Sequence, residues 1–509
     1  MRQRLLLFFL WLLFVTGLQV NAQAPLFIRE GLDSFIQKGL RDWQIPGLAL
    51  VIVKDGQVVV RKGYGVRDID TRDPVDEHTL FMIASNSKLF TGTALAQLEY
   101  QKKLSLNDPI RKFFPEFSLY EKTSSELVTI RDMLSHRIGT RTFQGDFTFW
   151  NSALSRAEIM GKMKLLKPSG LFRQDYGYCN SCFLVAGEII PKAIGISWEQ
   201  YVQDSLLTPL EMTRSTAVSA GMEFKQNVAR PYTSSYTGTL NRVPYDQWDN
   251  LGPAASIISS VYDLTNWLQF QLDSGKYRNR QIIPFSVLQR TRDLNISTGS
   301  RKSAQFPMHF RGYGLGLYGA DYNGRAIYWH TGGAAGMVSN LCFVPEENLG
   351  IAILTNNDNQ AFFEALRYQV LDAYLQVNGG NRSETMLPAF VSELRSQVKR
   401  INDWKARVKG AQPALDLSKY GGIYQHELYG TLSIQPRDGK LVLRFNGHRN
   451  LTAKMEYMDK DEWLLTYDNI EYGIHKVKFT LHDQQVKSLE VRFNEFVEYD
   501  TYTFDKKEQ

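Results

Sequence analysis

Strand-forming segments stand at both ends of a long helical stretch, and this placement restricts the fold more than any other feature of the chain. Leu48 to Lys54 and Gln57 to Lys62 flank Asp55-Gly56, a short-range hairpin signal. Strand character then returns only at Tyr313 to Tyr318, Ala326 to Trp329, Val338 to Val344 and Gly350 to Thr355. Strands at both ends of a segment with helices between them suggest one shared sheet. Helical spacing at Ile28, Leu32, Phe35, Ile36, Leu40 and Trp43, and again from Ala361 to Gln376, brackets the whole segment. The expected architecture is α+β, a mixed antiparallel sheet built from both chain ends with the terminal helices on one face.

Beyond Pro413 the pattern changes to strand period, with Leu432 and Ile434, Leu441, Leu443 and Phe445, Val477, Phe479 and Leu481, and Val486, Leu489, Val491 and Phe493. Asp438-Gly439 supplies a hairpin turn, and a small antiparallel barrel is expected over residues 413–509. Asn378 to Ser383 reads as a linker and Val391 to Val408 as a connecting helix, so residues 381–412 join the barrel to a catalytic-sized unit spanning 25–380. A chain ending near Ser383 is expected to keep its chemistry while changing substrate preference or oligomeric state.

Arg2 and Arg4, the apolar run Leu5 to Val15 and the ending Ala22-Gln23-Ala24 have the zones of a cleaved secretory signal over residues 1–24, which implies a periplasmic or secreted protein. The net charge of +6 is scattered along the chain, which argues against a nucleic-acid partner. Three cysteines are too few for a disulfide scaffold. Cys179 and Cys182 read as small buried thiols, since no second ligand pair completes a metal site, and no cofactor is expected.

Ser85-Asn86-Ser87-Lys88 places a hydroxyl and an amine one helical turn apart. A serine alcohol needs a neighbouring base, and an amine serves once its pKa is lowered by burial among residues such as Phe81, Ile83, Leu89 and Phe90. Tyr178 in Tyr178-Cys179-Asn180 can pass or accept a proton, and the Asn180 amide can orient Lys88 and bind a substrate carbonyl. His330-Thr331-Gly332-Gly333 leaves a strand in a glycine-rich turn, where the Gly333 amide joins that of Ser85 as an oxyanion hole. His330 is expected over the pocket as a hydrogen-bond donor or relay.

S-x-x-K, Y-x-N and H-T-G in this order resemble the serine β-lactamase and penicillin-binding-protein superfamily, closest to its class C and esterase-like branch. Leu134-Ser135-His136-Arg137-Ile138-Gly139, Pro168-Ser169-Gly170, Ser259 to Leu264 and Leu354-Thr355-Asn356 also look like landmarks of that family, over Leu32 to Gln376. The resemblance implies a β-lactamase/transpeptidase-like fold and a C-terminal barrel of the small, lipocalin-like kind appended to such hydrolases. It makes Ser85 the acylated nucleophile, Lys88 and Tyr178 its base system, and Asn180, His330 and Thr331 substrate contacts, with His136 a structural loop residue.

A lysine in place of His330 would pair with the carboxylate of a β-lactam, whereas a histidine is mostly neutral at pH 7. The expected activity is therefore hydrolysis of an amide or ester, such as a small peptide, possible D-residues and cell-wall peptides included. A true β-lactamase and a catalytically silent peptidoglycan- or peptide-binding protein are the alternatives.

Overall fold

The structure, a computed structural model, describes residues 24–508, so the expected leader lies outside the described residues except for Ala24. Helix α1 (Leu32–Asp42) leads into strands β1 (Gly47–Lys54) and β2 (Gln57–Gly65). Asp55 and Gly56 join them at φ of 53° and 76°, the left-handed backbone that a two-residue hairpin turn requires. Helices α2 (Ser87–Tyr100), α3 (Asn180–Ile194) and α4 (Val261–Leu272) follow among shorter turns. The chain then lays down β3 (Ile296–Gly299), β4 (Arg311–Tyr313), β5 (Tyr318–Tyr322), β6 (Arg325–Ala334), β7 (Met337–Val344) and β8 (Leu349–Thr355) before helix α5 (Phe362–Leu375).

These eight strands form one sheet in the order β2-β1-β8-β7-β6-β5-β4-β3, so the early hairpin docks against the last strand. Neighbours are antiparallel, with Leu48 opposite Thr355 and Lys54 opposite Leu349. Both faces are covered, which is why β1 reads as an almost unbroken apolar run. Leu48, Leu50 and Ile52 pack with α1 and α5, while Ala49, Val51 and Val53 face the helical middle of the chain with Trp267 and Leu268 of α4. The terminal helices thus share one face, as the sequence pattern indicates.

Three local expectations are corrected. The strand expected over Tyr313 to Tyr318 is two strands, because Gly314 to Leu317 turns around α2 so closely that a Cβ on Gly92 would lie 1.9 Å from the Leu315 carbonyl oxygen. The glycine-rich run after His330 does not leave the sheet: β6 continues through Gly332 and Gly333, paired with Ser339 and Val338. The connecting helix α6 spans Arg382–Lys405, starting nine residues before Val391. The Asn381 side chain caps it by accepting from the Glu384 amide, and Arg382 and Ser383 are anchored by Asp372 (2.6 Å) and the Trp43 indole (2.9 Å).

The barrel is closed by eight antiparallel strands: β9 (Gly422–His426), β10 (Gly430–Arg437), β11 (Lys440–Phe445), β12 (Thr452–Asp459), β13 (Glu462–Tyr467), β14 (Ile474–His482), β15 (Gln485–Val491) and β16 (Tyr502–Lys506). Each pairs with the next, and β16 returns to β9. One apolar core runs from the helical layer into the barrel. Phe147, from the single helical turn Asp146–Phe149, is stacked on Phe493 at 3.6 Å and on Tyr429 at 5.2 Å between ring centroids.

His448 seals this joint, accepting from the Tyr429 hydroxyl (2.8 Å) and donating to the Trp150 carbonyl oxygen (3.0 Å). Burial pushes its pKa from 6.5 down to about 4. The unfolded chain therefore binds the proton first on acidification, and stability present above pH 6.5 is lost as pH falls towards 4. A His448→Gln variant, which keeps a donor and an acceptor but does not titrate, is expected to flatten the acid limb of stability by about 1.4 kcal/mol per pH unit in that window. Thermal melts from pH 7 to 4 read this, and an unchanged slope refutes it.

Candidate active site

Ser85 lies on a single 3-10 turn, Ala84–Asn86, that runs directly into α2. Ala84 just before it has a φ of 50°, a left-handed conformation that costs a residue with a Cβ about 1–2 kcal/mol. The segment is pinned on both sides: Asn86 Nδ2 donates to Ser339 Oγ (2.8 Å), and Ser87 Oγ accepts from the Ile257 amide (3.0 Å). Ser85 itself remains partly exposed to the cleft.

One turn on, Lys88 is fully buried. Its Nζ lies 3.0 Å from Ser85 Oγ, 2.6 Å from Asn180 Oδ1 and 3.0 Å from the Ala254 carbonyl oxygen. Burial is the main influence on its pKa, lowering it to about 7, while the Asp146 charge works the other way. A neutral amine has two hydrogens and one lone pair. With Asn180 Oδ1 and Ala254 O taking the hydrogens, the third direction leaves the lone pair facing the Ser85 hydroxyl.

Asn180 opens α3, and the orientation of its amide follows from its partners. Its Nδ2 donates to Asp146 Oδ2 (2.6 Å), so its oxygen faces Lys88. Tyr178 stands beside the pair with Lys88 Nζ 4.7 Å over its ring. Burial holds its phenol well above pH 10, so near neutral pH it is a neutral hydroxyl that can both donate and accept a hydrogen bond. His136 is buried with its ring 4.3 Å from that of Tyr178, and its Nδ1 accepts from the Cys179 amide (3.1 Å), a structural task. Cys179 and Cys182 are buried free thiols.

The histidine of the late motif departs from expectation. His330 borders the cleft, but its Nδ1 donates to the Thr331 carbonyl oxygen (2.7 Å) and its Nε2 accepts from the Tyr313 hydroxyl (2.9 Å). Both nitrogens are thus engaged, and burial with the nearby Lys88 charge pushes its pKa to about 3. It presents a neutral ring, with no free donor for substrate. The Thr331 hydroxyl accepts from Asn340 Nδ2 (2.9 Å), leaving its own hydrogen for a ligand. Gly333 borders the cleft on the stretch of β6 beyond Trp329, where β5 has ended and only β7 pairs with it.

The cleft holds about 500 Å³ and gathers Ser85, Tyr178, Asn180, His330, Thr331 and Gly333. Its walls are aromatic, with Phe143, Trp150, Tyr318 and Phe363 from the catalytic unit and Phe496 and Tyr499 from the barrel. Among the described lining residues there is no lysine or arginine. A larger groove of about 900 Å³ beside the β1–β2 turn contains none of the candidate residues. Sequence reasoning missed Asp146, Phe496, Glu498 and Tyr499: Asp146 opens a single helical turn too short to show a period, and the other three lie in an irregular segment without a motif.

A family model described as Beta-lactamase matches residues 32–375. A second, described as Domain of unknown function (DUF3471), matches residues 406–506. The chain is 28% identical over 338 residues to protein flp of Staphylococcus aureus, covering 65% of this chain and 64% of that protein, so it spans less than two-thirds of this relative's length. It is 26% identical over 442 residues to the unguisins hydrolase ungD' of Aspergillus campestris, covering 78% of this chain and 76% of the relative. Among solved structures, the octameric penicillin-binding protein homologue from Pyrococcus abyssi has a TM-score of 0.59 at 23% identity, over 94% of this chain and 99% of that one. At that identity the likeness is one of fold.

Proposed function

Because the chain belongs to the Beta-lactamase family, we propose that it is a serine hydrolase working through an acyl-enzyme on Ser85, with an uncharged ester or small peptide amide as substrate. The observation that carries this reading is the buried Lys88 amine 3.0 Å from Ser85 Oγ with two carbonyl oxygens on its other sides. That the fungal relative is named as a hydrolase supports it.

In the first half-reaction, Ser85 Oγ bonds to the acyl carbon as Lys88 Nζ takes its proton, and the carbonyl π pair moves to oxygen. The amides of Ser85 and Gly333 stabilise that oxyanion. Its collapse breaks the bond to the amine or alcohol, which leaves with a proton passed from the Lys88 ammonium through the Tyr178 hydroxyl. Water then attacks the Ser85 ester with Lys88 again as base, releasing the acid and restoring the serine.

Substrate preference follows from the walls. A β-lactam carboxylate would find no cation in the lining, a neutral His330 where a fixed charge would help, and aromatic surface on several sides. Neutral acyl groups lose nothing there, which favours the esterase- or peptidase-like branch. A kinetic panel of nitrocefin, a short-chain nitrophenyl ester and D-amino-acid amides and dipeptides tests this. The ester or a neutral amide is expected to exceed nitrocefin in kcat/KM by about tenfold or more, the order of one lost charge contact. Its kcat/KM should fall about tenfold per unit below pH 7, as Lys88 gains its proton. Nitrocefin as the best substrate overturns the preference in favour of a true β-lactamase, and a flat profile between pH 5 and 8 overturns Lys88 as the base.

A further inference from the structure

We propose that Glu498 of the C-terminal barrel is a positioning residue for the Ser85–Lys88 pair, acting through Gly145, Asp146 and Phe147. The proposal rests on the reading of Lys88 as the base. Glu498 is 2% exposed and lies ahead of β16. Its Oε1 accepts from the Gly145 amide (2.8 Å), and its Oε2 accepts from the Phe147 amide (2.9 Å) and the Tyr502 hydroxyl (2.9 Å). One carboxyl group therefore grips the backbone on both sides of Asp146. The ring of Phe147 adds a second anchor, stacked on barrel Phe493 at 3.6 Å.

The residue held between these anchors decides which way Asn180 points. Asp146 Oδ2 receives from the Asn180 amide nitrogen, and this leaves the Asn180 oxygen for Lys88. Were Asp146 to shift, the nearly isosteric amide could turn over and offer its NH2 group to Lys88. A donor there would compete for the amine's lone pair, the one the Ser85 proton needs. The path from barrel to base thus runs through four hydrogen bonds and one rotatable amide, and Glu498 touches neither substrate nor nucleophile.

A carboxyl group suits this task because each of its two oxygens lies against one of the two amides. Glutamine has one acceptor oxygen, and its NH2 would face the other N–H. In the full-length protein hydrolysing nitrophenyl acetate, Glu498→Ala is expected to lower kcat about 10- to 100-fold, the scale of a displacement near 1 Å, with KM changed less than about threefold. Glu498→Gln should be intermediate. Asp146→Ala should show the same split, and the double variant Asp146→Ala/Glu498→Ala should lose no more than the worse single one, since both act on one amide. Arg437→Ala, at the exposed end of β10, should leave both constants unchanged.

A folded Glu498→Ala variant with kcat within about twofold of wild type overturns the proposal, as do additive losses in the double variant. Where Glu498→Ala fails to fold, the same criterion applied to Glu498→Gln decides. Lys88→Met run in parallel separates the two levels. If that variant keeps its turnover, the reading of the base itself is wrong; if it is inactive while the Glu498 variants are normal, only the positioning role is wrong.

Discussion

Replacing Ser85 by alanine is expected to abolish covalent labelling by a fluorophosphonate or a fluorescent penicillin and to lower ester turnover by about 10⁴-fold or more. Among the described residues, the substitution removes the one hydroxyl that combines exposure to the cleft with a lysine amine at 3.0 Å. The neighbouring Ser87 hydroxyl is buried and committed to the Ile257 amide, so it offers no substitute nucleophile. The backbone amides and the aromatic walls stay in place, so reversible binding should persist. Intact-mass spectrometry after labelling reads the result directly. An undiminished adduct on the Ser85→Ala protein moves the nucleophile elsewhere and rules out the acyl-enzyme at this serine.

Replacing Lys88 by methionine, which keeps most of the volume without a base, is expected to slow acylation about 10³-fold, within the usual range for loss of a general base. A second readout comes from stability. Burial lowers the Lys88 pKa from 10.5 to about 7, so between these values the unfolded chain carries a proton that the folded chain does not. Stability therefore rises with pH across that window by about 1.4 kcal/mol per unit from this group, and the slope should vanish in the variant. A lysine that is a mere core residue would show the change of slope, which burial alone produces, but not the kinetic loss. Near-wild-type acylation removes Lys88 from the mechanism.

What the sequence made legible was local. The Asp55-Gly56 hairpin, the apolar runs of β1, β7 and β8, and the one-turn spacing of Ser85 and Lys88 depend on residues close together in the chain. Their periods survive in the fold because burial on defined faces imposes them. Four of the eight barrel strands, β9, β12, β13 and β16, are not marked by the sequence pattern; in β12 and β16, Thr452 to Asp459 and Tyr502 to Lys506 carry charged residues that dilute the alternation. The break between β4 and β5 is set by the passage of α2, a contact no local pattern encodes. His330 could be read as a border of the site, but the partners that occupy its nitrogens lie on a different strand and on the next peptide.

The barrel's place at the site was the least legible feature. Separate composition suggested a separable unit, and a chain ending near Ser383 was expected to keep its chemistry. Such a chain would lose Phe496 and Tyr499 from the cleft and strip the partners from Phe147 and from the Gly145 and Phe147 amides. Boundaries drawn from pattern alone follow the backbone, whereas the apolar core ignores them.

The stacking of Phe147 among barrel aromatics also bears on how such chains diversify. Gly145 and Glu498 are 353 positions apart, yet each is half of one contact. Recombination at the exposed helix α6 would part them, leaving a foreign barrel facing a loop shaped for another. Exchange of barrels between lineages is therefore penalised unless the short loop around Phe147 travels with them. Shuffling in the laboratory meets the same barrier, and chimeras should carry both segments from one parent.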